Sequence, residues 1–197
     1  MKHVNILAAL GILLTACQFG FAQTGSGKSS GLYLTSRDFE EQKLSYSIDC
    51  KNKNDKIRLN DFFGSSSGFV LSNGEKHKFD KKNVYGYHTC DNKNFRFFGN
   101  SAYQILDTAG FYIYYQYRSV EQTKGKGLVK ADFYFFSKKG DDEITVLNSD
   151  NLKKAFPENH RLHYAIDANF KSDQDLAAYD SFQKTYKIKY LYDESVK

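Results

Sequence analysis

Phe111-Tyr112-Ile113-Tyr114-Tyr115-Gln116-Tyr117-Arg118 decides the fold class. Aromatic and β-branched residues dominate the run, and neither Gly nor Pro interrupts it, which favours an extended chain. Side chains of a strand alternate between two faces. Phe111, Ile113, Tyr115 and Tyr117 therefore share one face, expected to be core. Tyr112, Tyr114, Gln116 and Arg118 share the other, which reads as amphipathic and partly solvated.

The β pattern extends in both directions from this run. C-terminal to it, a Gly125-Lys126-Gly127 loop leads to Leu128–Phe136, where Phe133 and Phe135 point one way. N-terminal to it, strand-length runs occur at 103–106, 95–98, 84–87 and 56–59. Gly68–Ser72 and Lys76–Phe79 flank Asn73-Gly74, the strongest short hairpin signal. Leu32-Tyr33-Leu34 reads as a first strand, and Thr35-Ser36-Arg37-Asp38 as a capped start for a short helix over 36–42. After residue 148 the period becomes helical. Ser149 reads as an N-cap, and Leu162, Ile166 and Phe170 form an apolar stripe. Ser172-Asp173-Gln174-Asp175 predicts another capped helix, with Leu176, Tyr179, Gln183, Tyr186 and Tyr190 on one face. The expected architecture is α+β: an antiparallel, aromatic-rich sheet of about six to eight strands with C-terminal helices packed on it.

The N-terminus reads as an export signal. Lys2 supplies the positive charge, and Val4–Leu14 is almost wholly apolar but shorter than a membrane span. Two cleavage points compete. Gly20-Phe21-Ala22 before Gln23 would release a soluble chain. Leu14-Thr15-Ala16-Cys17 resembles a lipobox, and cleavage there would leave Cys17 for lipid attachment, the one route to a membrane. The preferred division is a signal peptide at 1–22, a flexible segment at 23–31 and one α+β domain at 32–197. Such a domain is long enough to bury a core. With Cys17 in the leader, Cys50 and Cys90 remain as a pair that an oxidising compartment can bridge. The alternatives are two free thiols or half of a metal site.

Composition narrows the function classes. A net charge of +5 is spread without a basic block, which argues against a nucleic-acid tract. There are 15 Tyr and 17 Phe but no Trp; aromatic residues favour strands, and an aromatic strand face usually packs under a helix but can also stack on a flat ligand. Tyr85 and Tyr87, with Tyr112 and Tyr114, are the candidates for stacking on sugars or other flat ligands. His160, His163 and Asp167 fall within about 60° of one another on a helix and form the best metal candidate, although the apolar stripe faces elsewhere. Gly25-Ser26-Gly27-Lys28-Ser29 mimics a phosphate loop, but Ala22 stands where that motif needs glycine. His88 beside Cys90 would suit a thiol nucleophile only if no bridge forms. No catalytic or cofactor residue is assigned.

Gly31–Thr35, Ile57–Phe62, Val84–Tyr87 running to Cys90, Phe95–Phe98 and Asn151–His160 together resemble a family of uncharacterised exported proteins of Gram-negative bacteria. That resemblance implies a secreted or envelope location and a single domain, and it carries over no functional residue. The reading is a non-catalytic domain that binds a protein, small-molecule or glycan partner. The rivals are a secreted hydrolase with a carboxylate- or His-based site and a structural or surface-assembly protein.

Overall fold

The computed structural model describes residues 28–60, 64–121 and 127–197. The leader, Cys17, both cleavage points and residues 25–27 of the loop-like motif lie outside the described residues. In chain order the elements begin with β1 (Ser29–Tyr33), α1 (Ser36–Glu40) and β2 (Ser45–Asp49), followed by β3 (Lys56–Arg58), β4 (Ser67–Ser72) and β5 (Glu75–Asp80). Then come β6 (Gly86–His88), β7 (Asn94–Phe98), β8 (Ser101–Asp107), β9 (Tyr112–Glu121), β10 (Leu128–Ser137) and β11 (Thr145–Val146). The C-terminal third holds α2 (Ser149–Ala155), α3 (His160–Asn169), β12 (Tyr179–Asp180), β13 (Thr185–Tyr186) and α4 (Lys187–Ser195).

The fold is α+β. Eight antiparallel strands form one sheet in the order β11-β10-β9-β8-β7-β6-β1-β2. From β6 to β11 each strand pairs with its neighbour in sequence, as short turns allow, and β1 closes back on β6. Strand pairing starts at Ser29, where Ser30 also donates its hydroxyl to the His88 carbonyl. A separate sheet, β3-β4-β5, contains the Asn73-Gly74 hairpin. Both turn residues take positive φ, 52° and 83°, as a two-residue primed turn requires.

The large sheet is covered on both faces. On one, Phe111, Ile113 and Phe136 pack with Leu152, Leu162, Ile166, Leu176 and Ile188 beneath the C-terminal helices. Farther along the same face, Leu32, Tyr87 and Phe97 pack with Val70 of the small sheet. On the opposite face, Tyr33, Tyr85, Tyr112, Tyr114 and Phe135 pack beneath Phe39 of α1 and Ile144.

Cys50 and Cys90 form a disulfide, with Cα atoms 5.6 Å apart, that ties the chain just after β2 to the β6–β7 turn. In the chain-entropy picture, closing a loop of this length stabilises the fold by about 4 kcal/mol. Such bonds persist in non-reducing compartments. Among the described residues, no helix is long and apolar enough to cross a membrane.

Four expectations are corrected. The Tyr112/Tyr114 face is sealed rather than partly solvated, because α1 and the segment around Ile144 cover it. On the face expected to be core, burial stops after Ile113, and Tyr117 is 59% exposed. The helix expected from 173 onward is broken: a 3₁₀ turn at Asp173–Ala177 is followed by the β12–β13 hairpin, and only then by α4. Its start does form the expected capping box between Ser172 and Asp175. The break lies at Asp180, whose carboxylate accepts from the backbone N–H groups of Phe182 and Gln183, and at Lys184, which takes φ 54°. A carboxylate bonding to the following backbone offers a turn in place of the helix. For α2, Asn148 rather than Ser149 is the N-cap, its side chain accepting from the Asn151 N–H.

Candidate binding groove

Strand register places one row of residues directly opposite each other across five strands: Tyr87, Phe95, Gln104, Tyr115 and Tyr134. Neighbouring strands lie about 4.8 Å apart, so the row runs about 19 Å across the sheet. The Tyr87 and Phe95 rings stack at 4.8 Å, nearly parallel, while Tyr115 and Tyr134 lie 5.5 Å apart and tilted. Gln104 separates the two aromatic pairs. Its amide forms no hydrogen bond with any described residue.

The groove above this row, about 470 Å³, exists because the two covering layers do not meet. The helices cover the sheet at Ile113 and Phe136, and the small sheet covers it at Tyr87 and Phe97. Between them the floor is built from Phe95, Gln104, Tyr115 and Tyr117, with small Ala102 leaving space beside them. The β8–β9 ladder runs only from Asp107 to Gln104. Beyond it the Gln116 side chain takes over, donating through Nε2 to the Ala102 carbonyl at 3.0 Å. The Oε1 of that amide is buried without a partner.

Charge reaches the floor at its β10 side, where the Lys130 ammonium lies 5.4 Å from the centre of the Tyr117 ring. Tyr115 donates its hydroxyl to Asp132 at 2.7 Å, and this bond to a carboxylate pushes the phenol up to about 12. Arg118 borders the groove, but its guanidinium stacks over Phe133 at 4.3 Å and Phe135 at 5.7 Å, both side chains of the opposite face. At neutral pH the surface offered to a ligand is therefore chiefly aromatic rings, amides and the Ser101 hydroxyl, with the Lys130 ammonium at the Tyr117 end.

The opposite face holds a second tyrosine-rich region of different character. Arg96 is 5% exposed. It donates to the Tyr114 hydroxyl at 3.0 Å and to the Asp142 carbonyl at 2.7 Å. Tyr114 also shares a hydrogen bond with Ser137, 2.9 Å away. Burial raises the phenol pKa of Tyr114, Tyr85 and Tyr112 above the ordinary value. The Tyr85 hydroxyl is buried without a partner. A Cβ added to Gly140 would come within 3.2–3.3 Å of the Tyr112 and Tyr85 hydroxyl oxygens, so glycine lets the backbone close over the cluster. A cavity of about 480 Å³ borders this region, lined by Thr35, Ser36, Lys82, Tyr85, Arg96 and Asp141, among others. Its one described carboxylate, Asp141, accepts from the Ser36 hydroxyl at 2.7 Å.

The four tyrosines expected to form one ligand face are thus divided. Tyr85, Tyr112 and Tyr114 lie in the cluster beneath α1, with Tyr85 also bordering the cavity beside Arg96, while Tyr87 lines the groove on the other face. Tyr85 precedes β6, which begins at Gly86, so the alternation of a strand does not carry back to it. His160 and His163 are ring neighbours at 5.7 Å. However, His163 bonds the Phe156 carbonyl at 2.9 Å, and Asp167 pairs with Lys153 at 2.5 Å. No group of three metal-ligating side chains occurs among the described residues. Cys90 is held in the disulfide and His88 bonds Asn94, so the two form no thiol–imidazole pair. Phe95, Gln104, Tyr115 and Tyr117 were not singled out by sequence. The row they form depends on register across non-adjacent segments, which a single strand's pattern does not carry.

No family model, curated protein or solved structure matches the chain.

Proposed function

We propose that this is an exported, non-catalytic binding domain whose ligand lies in the mid-sheet groove. The carrying observation is the row Phe95–Gln104–Tyr115, an open aromatic floor centred on an amide with its donors and acceptor unengaged. Export is supported by the apolar leader with its two cleavage points, by the resemblance to exported proteins and by the disulfide. The described groove lining carries no carboxylate or imidazole, which supports recognition over hydrolysis.

Each rival has a feature that favours it. A hydrolase would use the cavity beside Arg96, where Asp141, Lys82 and Tyr85 meet. An assembly role would use the outer edge of β10, because β11 pairs only with Phe135 and Phe136. Lys130 and Asp132 along that edge discourage strand addition.

A fragment-binding map by NMR tests the groove reading without assuming a ligand class. Fragment hits should shift amides around Phe95, Gln104 and Tyr117. Hits concentrated at Thr35, Ser36, Lys82 and Asp141 would replace this reading with the hydrolase one. Intact mass of the mature chain tests export. A start at Gln23 fits the soluble form, a lipid-modified Cys17 fits the anchored form, and an uncleaved Met1 chain contradicts both.

A further inference from the structure

Resting on the groove reading above, we propose that the occupant is an uncharged oligosaccharide, its sugar rings lying on Phe95 and Tyr115 with Gln104 between them. A pyranose ring presents a C–H face, which packs on an aromatic ring, and a rim of hydroxyls that both donate and accept. The row supplies both partners in that order: ring, amide, ring. Gln104 has two N–H donors and a carbonyl acceptor, so one amide can serve two neighbouring hydroxyls. Gln116, at the edge of the same groove, holds the Ala102 carbonyl through Nε2 and carries an Oε1 that lacks a donor.

Three observations argue against other occupants. An anionic ligand would need a cation facing Phe95 and Tyr115, but the Arg118 guanidinium is stacked on the opposite face and the Lys130 ammonium is engaged over the Tyr117 ring at the groove's end. An apolar metabolite would need an enclosed, largely apolar pocket. Here the groove is open, and amides and hydroxyls interrupt its aromatic floor. A peptide added as a strand needs an open backbone edge, but β7 is paired on both sides, β8 is paired on both sides from Gln104 to Asp107, and beyond Gln104 the Ala102 carbonyl is taken by the Gln116 amide. Phe95 and Tyr115 stand two strand spacings apart, about 10 Å. That exceeds one ring, so the preferred ligand has at least two sugars. Because the floor residues stand directly opposite one another across successive strands, an extended β-linked chain follows the row better than a coiled α-linked one.

The test is isothermal titration with cellotetraose, chitotetraose, maltotetraose and a pool of neutral tetrapeptides, against the wild-type chain, Gln104→Leu and Tyr115→Ala. Circular dichroism confirms that each variant is folded. Expected is binding of a β-linked tetrasaccharide, weakened at least tenfold in both variants, with maltotetraose weaker and the tetrapeptides inert. Tetrapeptide binding without sugar binding would overturn the ligand class and leave the groove standing. Sugar binding that ignores both substitutions, or no binding of any probe, would overturn the proposal. The fragment map then shows separately whether the groove reading also fails.

Discussion

The two tyrosine-rich regions lie on opposite faces of one sheet, yet the same residue type does different work in each. Around Arg96, burial raises the phenol pKa values, Gly140 closes the backbone over two hydroxyls, and a buried cation is held by neutral oxygens. Along Phe95–Gln104–Tyr115 the rings are only partly covered and the central amide is unengaged. The difference arises from what lies above each face. A helix and a connecting segment seal one, while two separate layers leave a gap over the other. Aromatic content alone therefore does not locate a binding surface. The covering elements decide.

The largest effect that would break this comparison is at Arg96. Arg96→Ala leaves Tyr114 and the Asp142 carbonyl without their buried donor, and should cost about 2–4 kcal/mol in chemical denaturation. A loss below about 1 kcal/mol would mean that the cluster is not the structural hub described.

Alkaline pH comes next. Tyr33, Tyr85, Tyr103, Tyr112 and Tyr114 have folded-state pKa values above 10.0, in each case chiefly from burial. The unfolded chain therefore releases their protons first, and stability should fall steeply as pH rises above about 10. Lys189 acts the other way. Burial lowers its pKa from 10.5 to about 8, against the opposing pull of Asp107 at 3.4 Å. Its penalty is complete below about pH 8 and shrinks as pH rises towards 10.5, so a shallow gain should precede the fall. A denaturation series across pH 7–11 reads both limbs.

Tyr114→Phe removes the bonds to Arg96 and Ser137 and should cost about 1–2 kcal/mol. Tyr85→Phe sharpens the contrast, since its hydroxyl has no partner to lose. Stability should stay within about 0.5 kcal/mol of wild type or rise. Smallest in stability is Tyr117→Ser at the exposed groove edge, expected within about 0.5 kcal/mol while ligand affinity falls.

Much of the fold was legible in sequence because local chemistry agreed with it. Asn73-Gly74 forms its hairpin, Cys50 and Cys90 pair, and Leu162 and Ile166 bury together. The misreadings share one cause, the reach of a local pattern. The helical period from Leu176 to Tyr190 looked continuous, but Asp180 and Lys184 turn the chain within it. Tyr85 and Tyr87 looked like one face until the start of β6 fell between them. The groove depends on the register of β6 through β10 and on where two layers stop, neither of which is written in any one segment.

The most direct measurement follows the tyrosine ring signals by NMR, in protein with isotope-labelled tyrosine, as β-linked tetrasaccharide is added. Shifts at Tyr115 and Tyr117, with Tyr85, Tyr112 and Tyr114 unmoved, are the predicted result. Shifts centred on Tyr85, Tyr112 and Tyr114 would contradict it by placing the ligand on the Arg96 face of the sheet.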